Sequence, residues 1–179
     1  LRNAPHGIDL GPLKPNLAAR LKTESKAIEA APALLVADLA RFAAEPQPAA
    51  GELLLIGRRH VRSNNSWMHN YQRLVKGKPR HQLLIHPDDM AGRGLSDGQR
   101  VRVQSRVGVI EVEALASAEM MPGVVSLPHG WGHARPGVQM AIASAQPGAS
   151  ANDLTDERQL DAVSGNAALN GVPVRVEAA

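Results

Sequence analysis

Gln99-Arg100-Val101-Arg102-Val103-Gln104-Ser105-Arg106-Val107-Gly108-Val109-Ile110-Glu111-Val112-Glu113-Ala114-Leu115 is the stretch on which the fold turns. Val101 and Val103 alternate with Arg100 and Arg102, and Ile110, Val112 and Ala114 alternate with Glu111 and Glu113. A period of two places apolar side chains on one face of a strand and charged ones on the other, so both segments read as half-buried strands. Ser105 to Gly108 is short enough to close a hairpin between them, and Ser96-Asp97-Gly98 before them is turn-forming. Working outward, Leu53 to Ile56, Gln82 to His86 and Gly123 to Leu127 are further short apolar runs, and Val172, Val174 and Val176 alternate with Pro173, Arg175 and Glu177. Pro173 has no N–H to give a ladder and must sit at a strand start or edge. A short helix is expected at Pro87 to Arg93, stopped by Gly94, with Asp88 and Asp89 in its first turn serving the helix dipole and the cap rather than acid–base chemistry. Six short strands and one small helix fit a mainly β fold, a closed or nearly closed barrel.

The 179 residues are enough for one domain with a real core. No apolar run approaches the roughly 20 residues of a spanning helix. The absence of cysteine rules out disulfides, thiolate zinc sites and cysteine-ligated clusters supplied by this chain. The first residue is Leu1, and Pro5, Gly7, Gly11, Pro12 and Pro15 interrupt any period in the opening thirty residues, which read as an arm extending from a preceding domain. Leu35, Val36, Leu39 and Phe42 then recur at helical spacing between Pro32 and Pro46, predicting an amphipathic helix over about residues 33 to 44. Residues 45–51 have linker composition, which divides the chain into an arm and short helix over 1–50 and a barrel domain over 51–179.

Charge is distributed unevenly. The net charge is only +3, but no acidic residue lies between Glu52 and Asp88, where Arg58, Arg59, Arg62, Arg73, Lys76, Lys78 and Arg80 accumulate. Within that stretch the sequence leaves a strand at Gly57 and runs Arg58-Arg59-His60-Val61-Arg62-Ser63-Asn64-Asn65-Ser66-Trp67-Met68-His69-Asn70. Glycine lets backbone amides approach a ligand, guanidinium groups fork onto phosphate oxygens, and Asn or Ser can read a heterocycle edge. Such a loop suits a nucleotide-like anion. Trp67, Tyr71 and, in a second glycine-rich loop, Trp131 are three of the four aromatic residues and could supply stacking surfaces. In that second loop, Pro128-His129-Gly130-Trp131-Gly132-His133, the glycines argue against a helical two-histidine metal site, leaving loop histidines that donate hydrogen bonds to ligand or backbone. His81 and His86 bracket a strand and read as structural or surface residues. The chain contains no Gly-x-Gly-x-x-Gly, no phosphate-binding loop and no Gly-x-Ser-x-Gly elbow. A nucleic-acid-binding barrel using the basic stretch with Trp67 and Tyr71 is the competing class of function. A pyruvoyl decarboxylase-like barrel fails for want of a Gly-Ser dipeptide.

Four pieces in this order, Leu55 to Asn70, His86-Pro87-Asp88-Asp89-Met90-Ala91 with Gly94 to Val101, Met121-Pro122-Gly123-Val124-Val125, and Asn152-Asp153-Leu154-Thr155, resemble the molybdopterin dinucleotide-binding domain of the dimethyl sulfoxide reductase superfamily, formate dehydrogenase-like members in particular. The arm from Ala4 to Pro12 also resembles a segment preceding that domain. The resemblance implies a six-stranded double-psi β-barrel with short helices and an extended N-terminal arm, binding part of a bis-molybdopterin guanine dinucleotide carrying molybdenum or tungsten. It implies that Gly57, Arg58 and Arg59 meet the phosphate or pterin region, that His60 and Ser63, Asn64, Asn65, Ser66, Trp67 and Met68 line the same surface, and that Asn152 lies near the cofactor. We extend the expected surface to His129, Gly130, Trp131 and Asn170. No catalytic residue and no metal ligand is expected from this chain, because the family takes both, and its iron–sulfur cysteines, from upstream domains of the same parent chain. Those domains are the expected partners, without nucleic acid or membrane. The isolated domain is expected to be non-catalytic and largely empty of cofactor, and a cytoplasmic location is expected.

Overall fold

A computed structural model describes residues 3–45 and 47–179; Pro46, expected to close the first long helix, lies outside the described residues. The chain divides into two compact units, residues 1–45 and 46–179. In the first, α1 (Leu17–Arg20) and α2 (Ala33–Ala43) are the regular elements. The helical period of Leu35, Val36, Leu39 and Phe42 forms the helix expected of it, yet α2 buries none of its residues.

The second unit runs β1 (Leu53–Arg58), α3 (Gln72–Val75), β2 (Gln82–Ile85), α4 (Pro87–Ala91), β3 (Arg100–Gln104), β4 (Val109–Ala116), β5 (Val124–Pro128), α5 (Ala141–Ser144), a single 3-10 turn (Ala151–Leu154) and β6 (Val172–Ala178). The six strands close in the order β1-β5-β2-β4-β3-β6. Two pairs, β1 with β5 and β2 with β4, are parallel, and the other four neighbours are antiparallel. This is the double-psi barrel expected. The β3–β4 hairpin pairs Val101 with Val112 and Val103 with Ile110. Its turn is held by the Ser105 hydroxyl, which accepts from the Val107 and Gly108 N–H groups at 3.2 Å. Pro173 belongs to the part of β6 that pairs with β1 alone, since the ladder to β3 begins at Arg175, so its missing N–H breaks no bond on the β3 side.

Alternation delivers the core. Leu53, Leu55, Leu83, Ile85, Val101, Val103, Val112, Ala114, Val125, Leu127 and Val174 are at most 3 % exposed and fill the barrel interior. Each buried Leu, Ile or Val side chain among them contributes roughly 1.5–3 kcal/mol from removal from water. The cap of α4 differs from expectation. The acceptor is the His86 ring, whose Nδ1 takes the Asp88 N–H, while Asp89 accepts the Gly123 N–H at 2.7 Å and pairs with Arg93, tying the helix to the entry of β5.

Candidate functional site

The last residues of β1 set the course of the chain beyond them. Leu53 and Leu55 point into the barrel, and Gly57 continues that phase at the point where a side chain cannot fit: a Cβ there would lie 2.1 Å from His129 Nε2. The Gly57 N–H donates to Asn170 Oδ1 at 2.7 Å, so the segment before β6 holds the loop exit. Arg58 is in the opposite phase and lies across the outer wall. Its guanidinium donates to the Ser126 carbonyl and hydroxyl on β5 and to the Gln82 carbonyl on β2. Those contacts bury Ser126 on the outer face of the barrel, and burial lowers the Arg58 pKa. Arg58 therefore braces three strands, while Arg59, next in the chain, is exposed.

Residues 59–71 form a run of tight turns in which Asn64 and Asn65 both adopt positive φ, a conformation asparagine tolerates better than most residues. Ser63 is buried, Ser66 and Met68 half-buried, and Trp67 stands 85 % exposed. The second loop packs against the first without room to spare. A Cβ on Gly130 would fall 2.2 Å from the Asn65 carbonyl oxygen, and Gly130 has φ +88. Asn70 reaches across to the start of α5, its Oδ1 accepting the N–H groups of Ile142 and Ala143 at 3.0 and 3.2 Å.

Beneath these loops lies a cluster that the sequence does not announce. His69 Nδ1 and His133 Nε2 are 2.8 Å apart, a hydrogen bond in which one ring donates and the other accepts. The His69 ring lies on the Trp131 indole with centroids 4.1 Å apart, and His81 flanks the same indole at 5.2 Å while its Nε2 bonds the Ala149 carbonyl at 2.8 Å. His69 Nε2 and Trp131 Nε1 are buried with no hydrogen-bond partner. Burial lowers the pKa of all three histidines, of His81 to about 4; at His69 the positive His133 and Arg80 lower it further, and the Gly130 backbone opposes them. His60 and His129 are lowered too, first by burial and then by neighbouring arginines, Arg59 in the case of His129.

The structure brings Asn65, Ser66, His129, Gly130, Trp131 and Asn152 together around one cleft of about 290 Å³, joined by His133, Met140 and Ser150. Trp67 projects away into solvent, and Asn170 acts through Gly57. A larger hollow of about 430 Å³ lies by Glu52, Arg106, Asp156 and Arg175. Its most buried charge, Asp156, is already matched by Arg106 and the Arg158 N–H, which hold its carboxyl below the usual range and leave it little to offer a ligand. The smaller cleft is lined by Trp131, whose indole N–H is buried without a partner.

Residues 53–173, more than half of the chain, match the family of the molydopterin dinucleotide binding domain. The chain belongs to that family. Among curated relatives of this dinucleotide-binding domain are a subunit of tetrathionate reductase from Salmonella typhimurium, 30 % identical over 59 % of this chain and 12 % of its own length, and biotin sulfoxide reductase of Cereibacter sphaeroides, 34 % identical over 45 % of this chain and 11 % of its own. Dimethyl sulfoxide reductase DmsA of Escherichia coli is 37 % identical over 32 % of this chain and 7 % of its own. The chain therefore spans about an eighth or less of these proteins. Acetylene hydratase from Pelobacter acetylenicus shares the fold, with a TM-score of 0.56 and 19 % identity over 80 % of this chain and 20 % of its own. The chain is thus a molybdopterin dinucleotide-binding domain, similar to domains of tetrathionate, biotin sulfoxide and dimethyl sulfoxide reductases, and these relatives are not formate dehydrogenases by name.

Proposed function

We propose that the cleft between the 57–71 and 129–133 loops, closed on its third side by Asn152, holds the dinucleotide part of a bis-molybdopterin guanine dinucleotide, with molybdenum or tungsten, and presses it against the other domains of a longer oxidoreductase. The single observation that carries this reading is the donor set. Asn65, Ser66 and Asn152 converge on one cleft lined also by Trp131, whose indole N–H is buried without a partner; Arg59 is near enough to the cleft's His129 to lower its pKa, and no carboxylate occurs from residue 53 to 87. Polar groups that read a heterocycle and cations that meet a pyrophosphate fit such a cofactor. The glycines at 57 and 130 keep the two loops close enough to form its wall.

When bound, the cofactor would supply the metal-centred redox chemistry. This chain's residues bind and orient it. A cleft of about 290 Å³ is smaller than even the usual range for a drug-sized ligand, so it can enclose only a part of a bis-dinucleotide. The rest requires walls from elsewhere, which is why the isolated domain binds weakly and carries no catalysis. Those walls are the catalytic and iron–sulfur domains of the parent, acting in the cytoplasm.

The test has two arms. The full parent protein is purified and assayed for metal, pterin and guanine nucleotide; stoichiometric metal with two pterins supports the reading, and their absence from a folded parent sinks it. The 179-residue chain is titrated calorimetrically with guanosine diphosphate as the probe. Weak binding reduced by Arg59→Ala and Asn152→Ala is expected. Nanomolar binding overturns the claim that the domain needs its partners.

A further inference from the structure

We propose that His69 and His133 form a latch that sets the shape of this cleft, a hydrogen bond between two imidazoles that fastens the 57–71 loop to the 129–133 loop and keeps Trp131 on the cleft wall. The inference deepens the cofactor-site reading and rests on it only for its purpose; the latch itself is a property of the free chain.

His69 is 1 % exposed and does not line the cleft, so whatever it does for a ligand it does through its neighbours. Those neighbours are the two that matter. One ring edge meets His133 at 2.8 Å, and one ring face lies on Trp131 at 4.1 Å, and both partners line the cleft. A backbone bond between the segments, from the His129 N–H to the Arg58 carbonyl at 3.0 Å, lies at the barrel mouth where the loops begin, and does not fix their far ends. The far end of the second loop is in turn tied down, with the Gly132 and His133 N–H groups both donating to the Pro147 carbonyl at 2.8 and 3.0 Å. Asn70 fixes the first loop to α5 one residue past His69. The ring pair is therefore a direct cross-tie between two segments that otherwise meet at this end through α5, where Asn70 accepts from Ile142 and Ala143 and the His133 carbonyl accepts from the Ser144 hydroxyl at 3.4 Å.

An imidazole pair has a property that an amide pair lacks. With both rings neutral one N–H bridges to one lone pair, and a first added proton still leaves such a bridge. A second proton turns both facing nitrogens into donors and breaks it. Here the charged groups felt around the pair are Arg80 at His69, His81 across the Trp131 indole, and Arg58 and Arg100 at His81, with no carboxylate among them. Only the Gly130 backbone offsets the added charge, at His69, and it is outweighed by burial and the neighbouring positive groups, so the latch opens as the medium becomes acidic.

Replacement of His69 separates positioning from mere packing. Asparagine places its Oδ1 near the Nδ1 position and accepts from His133 Nε2–H whether His133 is neutral or charged, whereas leucine fills space and accepts nothing. Amide hydrogen exchange at Gly132 and His133 is followed by NMR in the free chain, with rates corrected for intrinsic pH dependence. At about pH 7.5, well above the imidazole range, wild type and His69→Asn should exchange alike and His69→Leu roughly tenfold faster. At about pH 5 wild type should accelerate and His69→Asn should not; His81 titrates in both, so the difference isolates the pair. If His69→Leu does not fold, His133→Gln, with its carboxamide at the Nε2 position, takes the same comparison and should track His69→Asn. Equal exchange in wild type and His69→Leu, or equal acid response in wild type and His69→Asn, overturns the latch. Guanosine diphosphate titrated into the same samples reads the cofactor site separately: no binding by any variant, with the exchange pattern intact, rejects the site and leaves the latch.

Discussion

Helix α2 and strand β4 carry equally regular apolar patterns and come to opposite ends. In β4, Ile110, Val112 and Ala114 recur every second residue and are all buried; in α2, Leu35, Val36, Leu39 and Phe42 recur at helical spacing and none is. Among the described residues 3–45 no residue is buried at all. Period decides the conformation of a segment, but burial needs a facing surface, and the barrel provides one by closing on itself. A helix of eleven residues without such a surface draws little stability from its own backbone.

The contrast can be broken or sharpened by measurement. The largest effect is expected in the barrel: Leu127→Ala removes a side chain that is 0 % exposed and should cost about 2–5 kcal/mol in a denaturant titration. Acid comes next. His81 is neutral in the fold with its pKa down at about 4, while the unfolded chain binds a proton near the ordinary 6.5. Unfolding therefore takes up a proton in that window, and stability that is complete above about pH 6.5 falls as the pH drops to about 4, by on the order of 3 kcal/mol from this residue alone. A pH series of unfolding midpoints that stays flat across this window would remove the claim, and His81→Phe should make the profile shallower, leaving the slope that the other histidines lowered by burial contribute. Gly130→Ala, strained by its φ and pressed onto the Asn65 carbonyl, should lose about 2 kcal/mol. Gly123→Ala has a similar φ of +85 with open space around it and should lose only about 1 kcal/mol. The smallest effect belongs to the arm. Phe42→Ala, at a side chain 68 % exposed, should change stability in a denaturant titration by less than about 0.5 kcal/mol, and a loss of several times that would contradict its exposure.

Much of the barrel was legible because its strands alternate, and alternation is a local signal. The strand beginning at Leu53 reads as ending at Ile56, but the ladder to β5 carries it on to Arg58 opposite Pro128. Those two residues change what Arg58 is seen to do. Followed as a strand, it falls in the outer phase with Leu54 and Ile56, and its guanidinium is then free to brace β5 and β2. Read as loop, it looks like a phosphate ligand. That the 57–71 and 129–133 segments are loops was legible from composition, through glycines, asparagines and an acid-free stretch. The histidine cluster was not. His69 and His133 are 64 positions apart, and His81 meets Ala149 from 68 positions away, so no period or motif links them and only the closed fold brings them together. His86 as the cap of α4 was missed because an aspartate is the more familiar acceptor and two stood beside it.

Closure of the sheet has one more consequence, which concerns self-association. An open sheet ends in strands whose free N–H and C=O groups can template pairing with another molecule. Here each of the six strands has a neighbour on both sides, and the barrel offers no such template. Clumping of this chain in concentrated solution would therefore be driven by side chains, with the bare apolar stripe of α2 the first place to put a lysine in order to prevent it.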